Sequence, residues 1–349
     1  MSNTLIKKIP LNNFWARNKN SIWMGSTFKL HRNLKTHFFP HKLSPQFLAD
    51  LTVMLKSALL KNNGFKKSSF FLMNDLKPND FQFLYEYYIP RKDYNAFRGS
   101  EGIIVDSYSQ LHVLINTEDH LIVNLIDEKN HLEKALHKLL SIDNELSKEI
   151  EFAFSQKLGF LTSDFYKCGT GLEVSLILHL PALTLSNTLE DTVEQIHSSA
   201  TYHTSFLGDD DEFLGDLVCL TNRQMINLSE EQIIKTLHTH ALTLIIAEKK
   251  MRDTITNDPN HPIKNEISKA FGTLKHAYQL EVKEALTLVS LCKLGVELGI
   301  IKQASLEEVN ELFFSLRKGI LKTKKTNPDE NLAELRSSQI KNCLKKAKL

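Results

Sequence analysis

Three stretches of this chain concentrate residue types able to do chemistry. Asn116-Thr117-Glu118-Asp119-His120 places two carboxylates and a histidine between two strand-like runs. Carboxylates there can orient a cationic group and help remove its proton, although a solvated turn has the same composition. Gly169-Thr170-Gly171 lies between two strand signals, where paired glycines allow either a close backbone approach to a ligand or simply a tight turn. Gly208-Asp209-Asp210-Asp211-Glu212 is an acidic loop.

These residues need elements to hold them. Val174, Leu176, Leu178 and Leu180 alternate with Ser175 and His179, the period of a half-buried strand, and Pro181 can open a helix. Ser21 to Asn33 reads as a strand running into a basic turn. Ser44 to Lys61 has helical apolar spacing, with Ser44 as N-cap and Pro45 in the first turn. Ser68 to Met73 is a short strand and Pro78 to Tyr88 a helix. Strand patterns at 103–105, 111–115 and 121–126 form an antiparallel meander. Residues 128–157 and 187–200 return to helical spacing, and Leu217 to Leu220 is a strand. Ser229 with Gln232 gives a capping box, with Glu230 and Glu231 in the first turn and Lys249, Lys250 and Arg252 expected in the last. Thr254 to Pro262 reads as a linker, and beyond it only helical patterns appear, at 263–298, 305–318 and 331–346. The expectation is an α+β fold, an antiparallel sheet flanked by helices, followed by an all-helical part. The divisions expected are an arm at 1–20, a catalytic-type domain at 21–255 and a helical domain at 263–349. Phe271, Leu274, Tyr278, Leu286, Val289 and Leu294 can supply either a dimer interface or that helical domain's own core.

The segment Gly159 to Leu185, GFLTSDFYKCGTGLEVSLILHLPALTL, resembles the signature of the ATP:guanido phosphotransferases. Gly25-Ser26 to Arg32-Asn33, Asn116 to His120, and Gly208 to Asn222 match further landmarks of that family in order; the chain resembles most the branch of bacterial protein-arginine kinases of Clp proteolysis, well over roughly residues 20 to 255 and loosely beyond. The resemblance implies transfer of the ATP γ-phosphoryl to a guanidinium. It makes Glu118 the catalytic carboxylate, with Asp119 beside it and Glu212 as the second carboxylate. Its phosphate-contacting arginines map onto Thr27, Lys29, Ile122, Glu173 and Thr204, with Ser26 in the same segment and His179 near the adenine. No arginine stands at any of the five. Its reactive cysteine position is Asp164, with Cys168 four residues away. Its phosphoarginine-binding basic motif falls on Asn327 to Arg336, where only Arg336 is basic.

An arginine in a phosphoryl-transfer site contributes roughly 10³-fold or more in rate. Threonine, isoleucine and glutamate do not replace it, although Lys167 beside the glycine loop supplies an unaligned cation. Two functions therefore follow from the resemblance. One is a family member with lost or strongly reduced transfer, retained as an arginine-binding regulator or adaptor in Clp-type proteolysis, in a cleft turned acidic by Glu173. The other is an active protein-arginine kinase with a rebuilt phosphate site, using Mg-ATP. Partners implied are protein arginine side chains, Clp-system proteins and a second copy of the chain as a homodimer.

Composition bounds the rest. The 349 residues are 42% apolar and 24% charged with net charge +2, giving no reason to expect nucleic acid or an anionic membrane. Lysine outnumbers arginine 35 to 8. Cys168, Cys219, Cys292 and Cys343 form no metal or redox spacing and suit a reducing compartment. The first residues carry no apolar signal and no run reaches membrane-span length, so a cytoplasmic location without a structural metal is expected.

Overall fold

The computed structural model describes residues 20–87, 99–106, 110–196, 200–207, 213–325 and 329–349. The expected arm thus lies almost wholly outside the described residues, as does the whole acidic loop 208–212. The strands are β1 (Trp23–Arg32), β2 (Ser69–Leu72), β3 (Gly102–Val105), β4 (Leu111–Ile115), β5 (Leu121–Asp127), β6 (Phe154–Ser155), β7 (Gly159–Phe160), β8 (Leu172–His179), β9 (Thr201–Ser205) and β10 (Leu217–Asn222). The helices are α1 (Pro45–Lys61), α2 (Pro78–Tyr87), α3 (Leu132–Leu146), α4 (Pro181–Leu185), α5 (Leu189–Gln195), α6 (Glu230–Asn257), α7 (Pro262–His276), α8 (Val282–Glu297), α9 (Leu306–Ser315), α10 (Lys318–Lys324) and α11 (Leu332–Cys343). Eight strands form one sheet in the order β2-β3-β4-β5-β1-β8-β10-β9, with every neighbouring pair antiparallel. β6 and β7 make a separate small ribbon.

Strand period decides what each face does. Residues paired across neighbouring antiparallel strands share a face. Phe28 of β1, Val174 of β8 and Leu125 of β5 are in register, and with Leu30, Leu176, Val218 and Leu220 they join an apolar cluster with Leu55 of α1, Leu139 of α3 and Leu237 and Leu244 of α6. The opposite face carries Thr27, Lys29 and His31 on β1, Glu173, Ser175, Ile177 and His179 on β8, and Thr221 on β10. It is polar in the middle and apolar toward one end.

That apolar end is covered by the helices after α6. Ile122, Ile126, Ile177 and Leu217 share one buried cluster with Ile267 and Phe271 of α7, Leu286 and Val289 of α8, and Phe313 of α9. Of the six residues considered for a dimer interface, Phe271, Leu274, Leu286, Val289 and Leu294 are interior, and Tyr278 alone is exposed. They build the chain's own core. A polar seam runs through the same contact. His179 Nε2 lies 2.8 Å from Ser290 Oγ, and its Nδ1 is 3.1 Å from Lys293 Nζ. Lys293 pairs with Glu297 at 2.7 Å, and Arg252 bridges Glu248 and Glu297. Burial pushes the Lys293 ammonium down to about 8 against the raising effect of Glu297.

Local signals explain most boundaries. Ser44 and Pro45 open α1, and Ser229 and Gln232 close a reciprocal capping box at α6 with bonds of 2.8 and 3.2 Å. α6 runs on to Asn257, so Lys249, Lys250 and Arg252 stand before its final turn. The connection to α7 is correspondingly short, residues 258–261. The strand signal ahead of the glycine pair yields only the two-residue β7. The helical pattern at 263–298 is two helices, broken at 277–281, and that at 305–318 is likewise split after Ser315.

Candidate active site

The site is built on the polar middle of the sheet face and closed by two loops. β1 and β8 are in register with Lys29 opposite Glu173, which brings Lys29 Nζ within 2.8 Å of Glu173 Oε1. The β4–β5 turn is closed by Asn116 N–H donating to the His120 carbonyl at 3.0 Å, with Asn116 in the left-handed region at φ 57°. The Asn116 amide also donates to the Leu48 carbonyl and to Thr52 Oγ1, both at 2.9 Å, fixing the turn to α1.

Asp119 is the hub under that turn. Its Oδ1 accepts from Asn33 Nδ2 at 2.6 Å and Ser163 N–H at 2.7 Å, and its Oδ2 faces His31 Nδ1 at 2.8 Å. Burial alone would raise the Asp119 carboxyl. The bond and charge of His31, with the two N–H donors, outweigh burial and hold it below the usual range. Asp119 is thereby saturated and acts as a positioning residue. His120 accepts from Leu34 N–H at 3.2 Å through Nδ1, and burial followed by the charge of His37 drops it to about 4.

Glu118 differs from Asp119. About a third of its side chain (31%) is exposed, and its Oε2 receives Lys167 Nζ at 2.8 Å. Lys167 also lies 3.8 Å from Glu173 Oε2. Burial lowers the Lys167 ammonium, but Glu173 and Glu118 together raise it above the ordinary lysine value. Glu173 is largely buried. Burial would raise its carboxyl, yet Lys29 and Lys167 bring it down to about 2. Among the described residues the site is a row of alternating charge, Lys29–Glu173–Lys167–Glu118. Glu173 itself does not turn the cleft acidic, because Lys29 pairs with it at 2.8 Å and Lys167 stands 3.8 Å away; the aspartates and Glu212 of the acidic loop lie outside the described residues.

Lys167 is presented by a short 3-10 turn, Phe165–Lys167, capped by Asp164, whose Oδ1 accepts Tyr166 N–H at 3.0 Å. Ser163 Oγ donates to the Glu118 carbonyl at 2.8 Å, so this loop is fastened to the carboxylate turn itself. Gly169 and Gly171 follow, with φ of 110° and 65°. A Cβ on Gly171 would come within 2.7 Å of the His31 carbonyl oxygen, and one on Gly169 would collide with the Met225 carbonyl. These glycines are required by chain-to-chain packing. Cys168 is buried, its sulfur accepting from Thr162 N–H at 3.5 Å.

The remaining expected residues scatter. Thr27 is on the site face opposite Ser175, and Thr204 lies on β9 opposite Cys219. Ile122 pairs in register with His31 but belongs to the apolar cluster beneath the C-terminal helices. Ser26 points to the other layer, where its Oγ accepts from Trp23 Nε1 at 3.1 Å. His179 is enclosed under α8 rather than open to a ligand. Glu212 lies outside the described residues. Arg336 is buried and donates through Nε and Nη1 to the Leu316 and Leu280 carbonyls at 2.9 and 2.6 Å, which ties α11 to the ends of its neighbours. His31 is the site residue the sequence reading missed. Its place two residues after Lys29 on one strand face was the available signal.

Fit to ligands follows from these contacts. His31, Glu118 and Asp119 each offer an atom within 4.8 Å of the others, as a divalent ion would need. Both Asp119 oxygens already face N–H or ring nitrogen groups, however, and Glu118 holds an ammonium. At the positions the resemblance assigns to the triphosphate, Thr27, Ile122 and Thr204 carry no charge, and Lys29, like the unaligned Lys167, faces a carboxylate.

The sheet, its helical cover and the carboxylate turn define a guanidino-kinase fold, and this chain belongs to the ATP:guanido phosphotransferase family. The profile described as "ATP:guanido phosphotransferase, C-terminal catalytic domain" matches residues 51–251, and that described as "Protein-arginine kinase McsB C-terminal domain" matches residues 260–348. Within the family it is similar to the protein-arginine kinase of Chlamydia pneumoniae, 31% identical over 337 residues covering 93% of this chain and 92% of that one. The protein-arginine kinase of Syntrophomonas wolfei is 30% identical, with 91% of each chain covered. Among solved structures, lombricine kinase superposes with a TM-score of 0.59 at 17% identity, over 67% of this chain and 68% of that one. The duplicated taurocyamine kinase of Schistosoma mansoni gives a TM-score of 0.60 at 20% identity, over 76% of this chain and 40% of the duplicated one. At these identities the two structures share the fold.

Proposed function

We propose that this protein binds arginine side chains of partner proteins at Glu118 and has lost most or all phosphotransfer, acting as a regulator or adaptor in Clp-type proteolysis. The observation carrying this reading is that the cations of the site are matched by carboxylates, Lys29 by Glu173 at 2.8 Å and Lys167 by Glu118 at 2.8 Å. A triphosphate needs a surplus of positive charge and donors at its oxygens. Glu173 would instead stand among those oxygens. Of the two carboxylates expected to receive a guanidinium, Glu118 lies among the described residues: its carbonyl is held by Ser163, its side chain remains partly open, and a carboxylate suits the guanidinium fork.

Glu118 in its motif position, with a cation, Lys29, at one of the five arginine positions, favours a second reading, an active protein-arginine kinase that uses Mg-ATP through a rebuilt phosphate site. Two measurements separate them. Titration with Mg-ATP to millimolar concentration should leave the unfolding temperature unchanged, since only a ligand that binds the folded state raises it. Incubation with an arginine-rich protein should yield no acid-labile phosphate. Saturable stabilisation, or phosphoarginine that disappears in Glu118→Gln, establishes the kinase instead.

A further inference from the structure

We infer that Lys167 is a built-in occupant of the arginine seat, exchanging between Glu118 and Glu173, and that this exchange selects which side chains the site admits. The inference rests on the reading of Glu118 as the carboxylate that receives a guanidinium. It accounts for two departures from the family pattern that are otherwise unrelated.

The first departure is Asp164, where the family places its reactive cysteine. Asp164 caps the turn Phe165–Lys167 through Tyr166 N–H. Ser163, one residue earlier, ties the turn to both Glu118 and Asp119 through bonds of 2.8 and 2.7 Å. The lysine is thus carried by a pre-ordered turn bolted to the residue it pairs with. Little side-chain freedom remains to be lost when the pair forms.

The second departure is Glu173, where the family has an arginine. Its Oε1 holds Lys29, while its Oε2 lies 3.8 Å from the Lys167 ammonium, just beyond hydrogen-bonding distance. A cation leaving Glu118 finds that acceptor within a small side-chain rotation. Displacement of Lys167 therefore need not strand a buried charge, the outcome that makes breaking enclosed ion pairs so unfavourable. Glu173 is the resting place that makes the seat exchangeable.

Selectivity follows from geometry. An incoming lysine brings one ammonium to replace another that is already pre-ordered, and gains nothing by it. A guanidinium brings two parallel N–H donors to the carboxylate, which an ammonium does not match. Only ligands of the guanidinium type gain the seat.

The test uses the full chain with a capped arginine peptide and its lysine counterpart, followed by calorimetry in wild type, Lys167→Met and Asp164→Ala. The wild type should bind the arginine peptide and discriminate against lysine. Lys167→Met should bind the arginine peptide about tenfold more tightly, one ion-pair exchange being of order 1.4 kcal/mol, and should admit the lysine peptide as well. Asp164→Ala, which loosens the turn without altering any charge in the seat, should shift both affinities the same way by a smaller factor, and it serves if Lys167→Met does not fold. Equal arginine affinity and unchanged discrimination in wild type and both variants would overturn the inference while leaving arginine binding standing. Absence of arginine binding in all three proteins would overturn the arginine-binding reading and this inference with it.

Discussion

Arg32 and Asp143 meet as a two-point pair, Nε to Oδ1 at 3.0 Å and Nη2 to Oδ2 at 2.7 Å, locking β1 to α3 directly behind the site. The guanidinium also lies 3.5 Å from the Phe160 ring centroid and donates to the His31 and Thr170 carbonyls, both at 2.9 Å. The arginine kept in the Ser26–Asn33 segment is therefore structural. Arg32→Ala strands the Asp143 carboxylate and should lower the unfolding free energy by about 3–5 kcal/mol, read from urea denaturation. Arg32→Lys should recover only part of this, because an ammonium cannot make the fork.

Glu173→Gln tests the neutralised cleft. Removing that carboxylate leaves Lys29 and Lys167 with less counter-charge on the polar face of the sheet. Affinity for pyrophosphate should rise by roughly tenfold, visible as a thermal shift that wild type lacks, even as the fold itself becomes less stable.

Acid sensitivity should come in two stages. His120 is held down to about 4, so the folded chain keeps it neutral while the unfolded chain protonates it near 6.5. Its contribution is complete above about pH 6.5 and is lost as pH falls toward 4, a loss on the order of 3 kcal/mol. Glu173, depressed to about 2, contributes above its ordinary carboxylate range and loses that contribution as pH falls from there toward 2. Denaturation of His120→Gln across pH 7 to 2 should show the first stage flattened and the second unchanged. Identical slopes in both proteins would remove His120 as the cause.

Proteolysis should nick the connection at 258–261 between α6 and α7, the expected boundary of the helical part. The two pieces should nevertheless co-elute under native conditions, because Ile122, Ile126, Ile177 and Leu217 share their buried cluster with α7, α8 and α9. Separation into two soluble fragments would contradict that shared core.

The features legible in the sequence were those carried by short-range pattern. The β8 strand, the meander and the Ser229–Gln232 box depend on residues a few positions apart, and so did the helical character after residue 260; β8 is buried on both faces rather than half-buried, because helices cover its polar side as well. Where those helices settle was not legible, because Phe271, Leu274 and Leu286 look the same whether they meet a second copy or their own sheet. Glu118 was found by its motif, but its partner was not, since the Lys167 pairing depends on a loop fold set by Ser163 and Asp164. Glu173 looked like an uncompensated charge because its pairing with Lys29 exists only through strand register.

That register also constrains how this site can change over generations. Glu173→Arg, the substitution that would restore the family residue, places a guanidinium against Lys29 and Lys167 at once. Changing Lys29 first leaves the enclosed Glu173 with a single cation nearly four ångströms away. Each single step passes through a less stable chain, so the two positions must move together. Positions 29 and 173 are thus coupled by epistasis, a valley that point mutation alone does not readily cross.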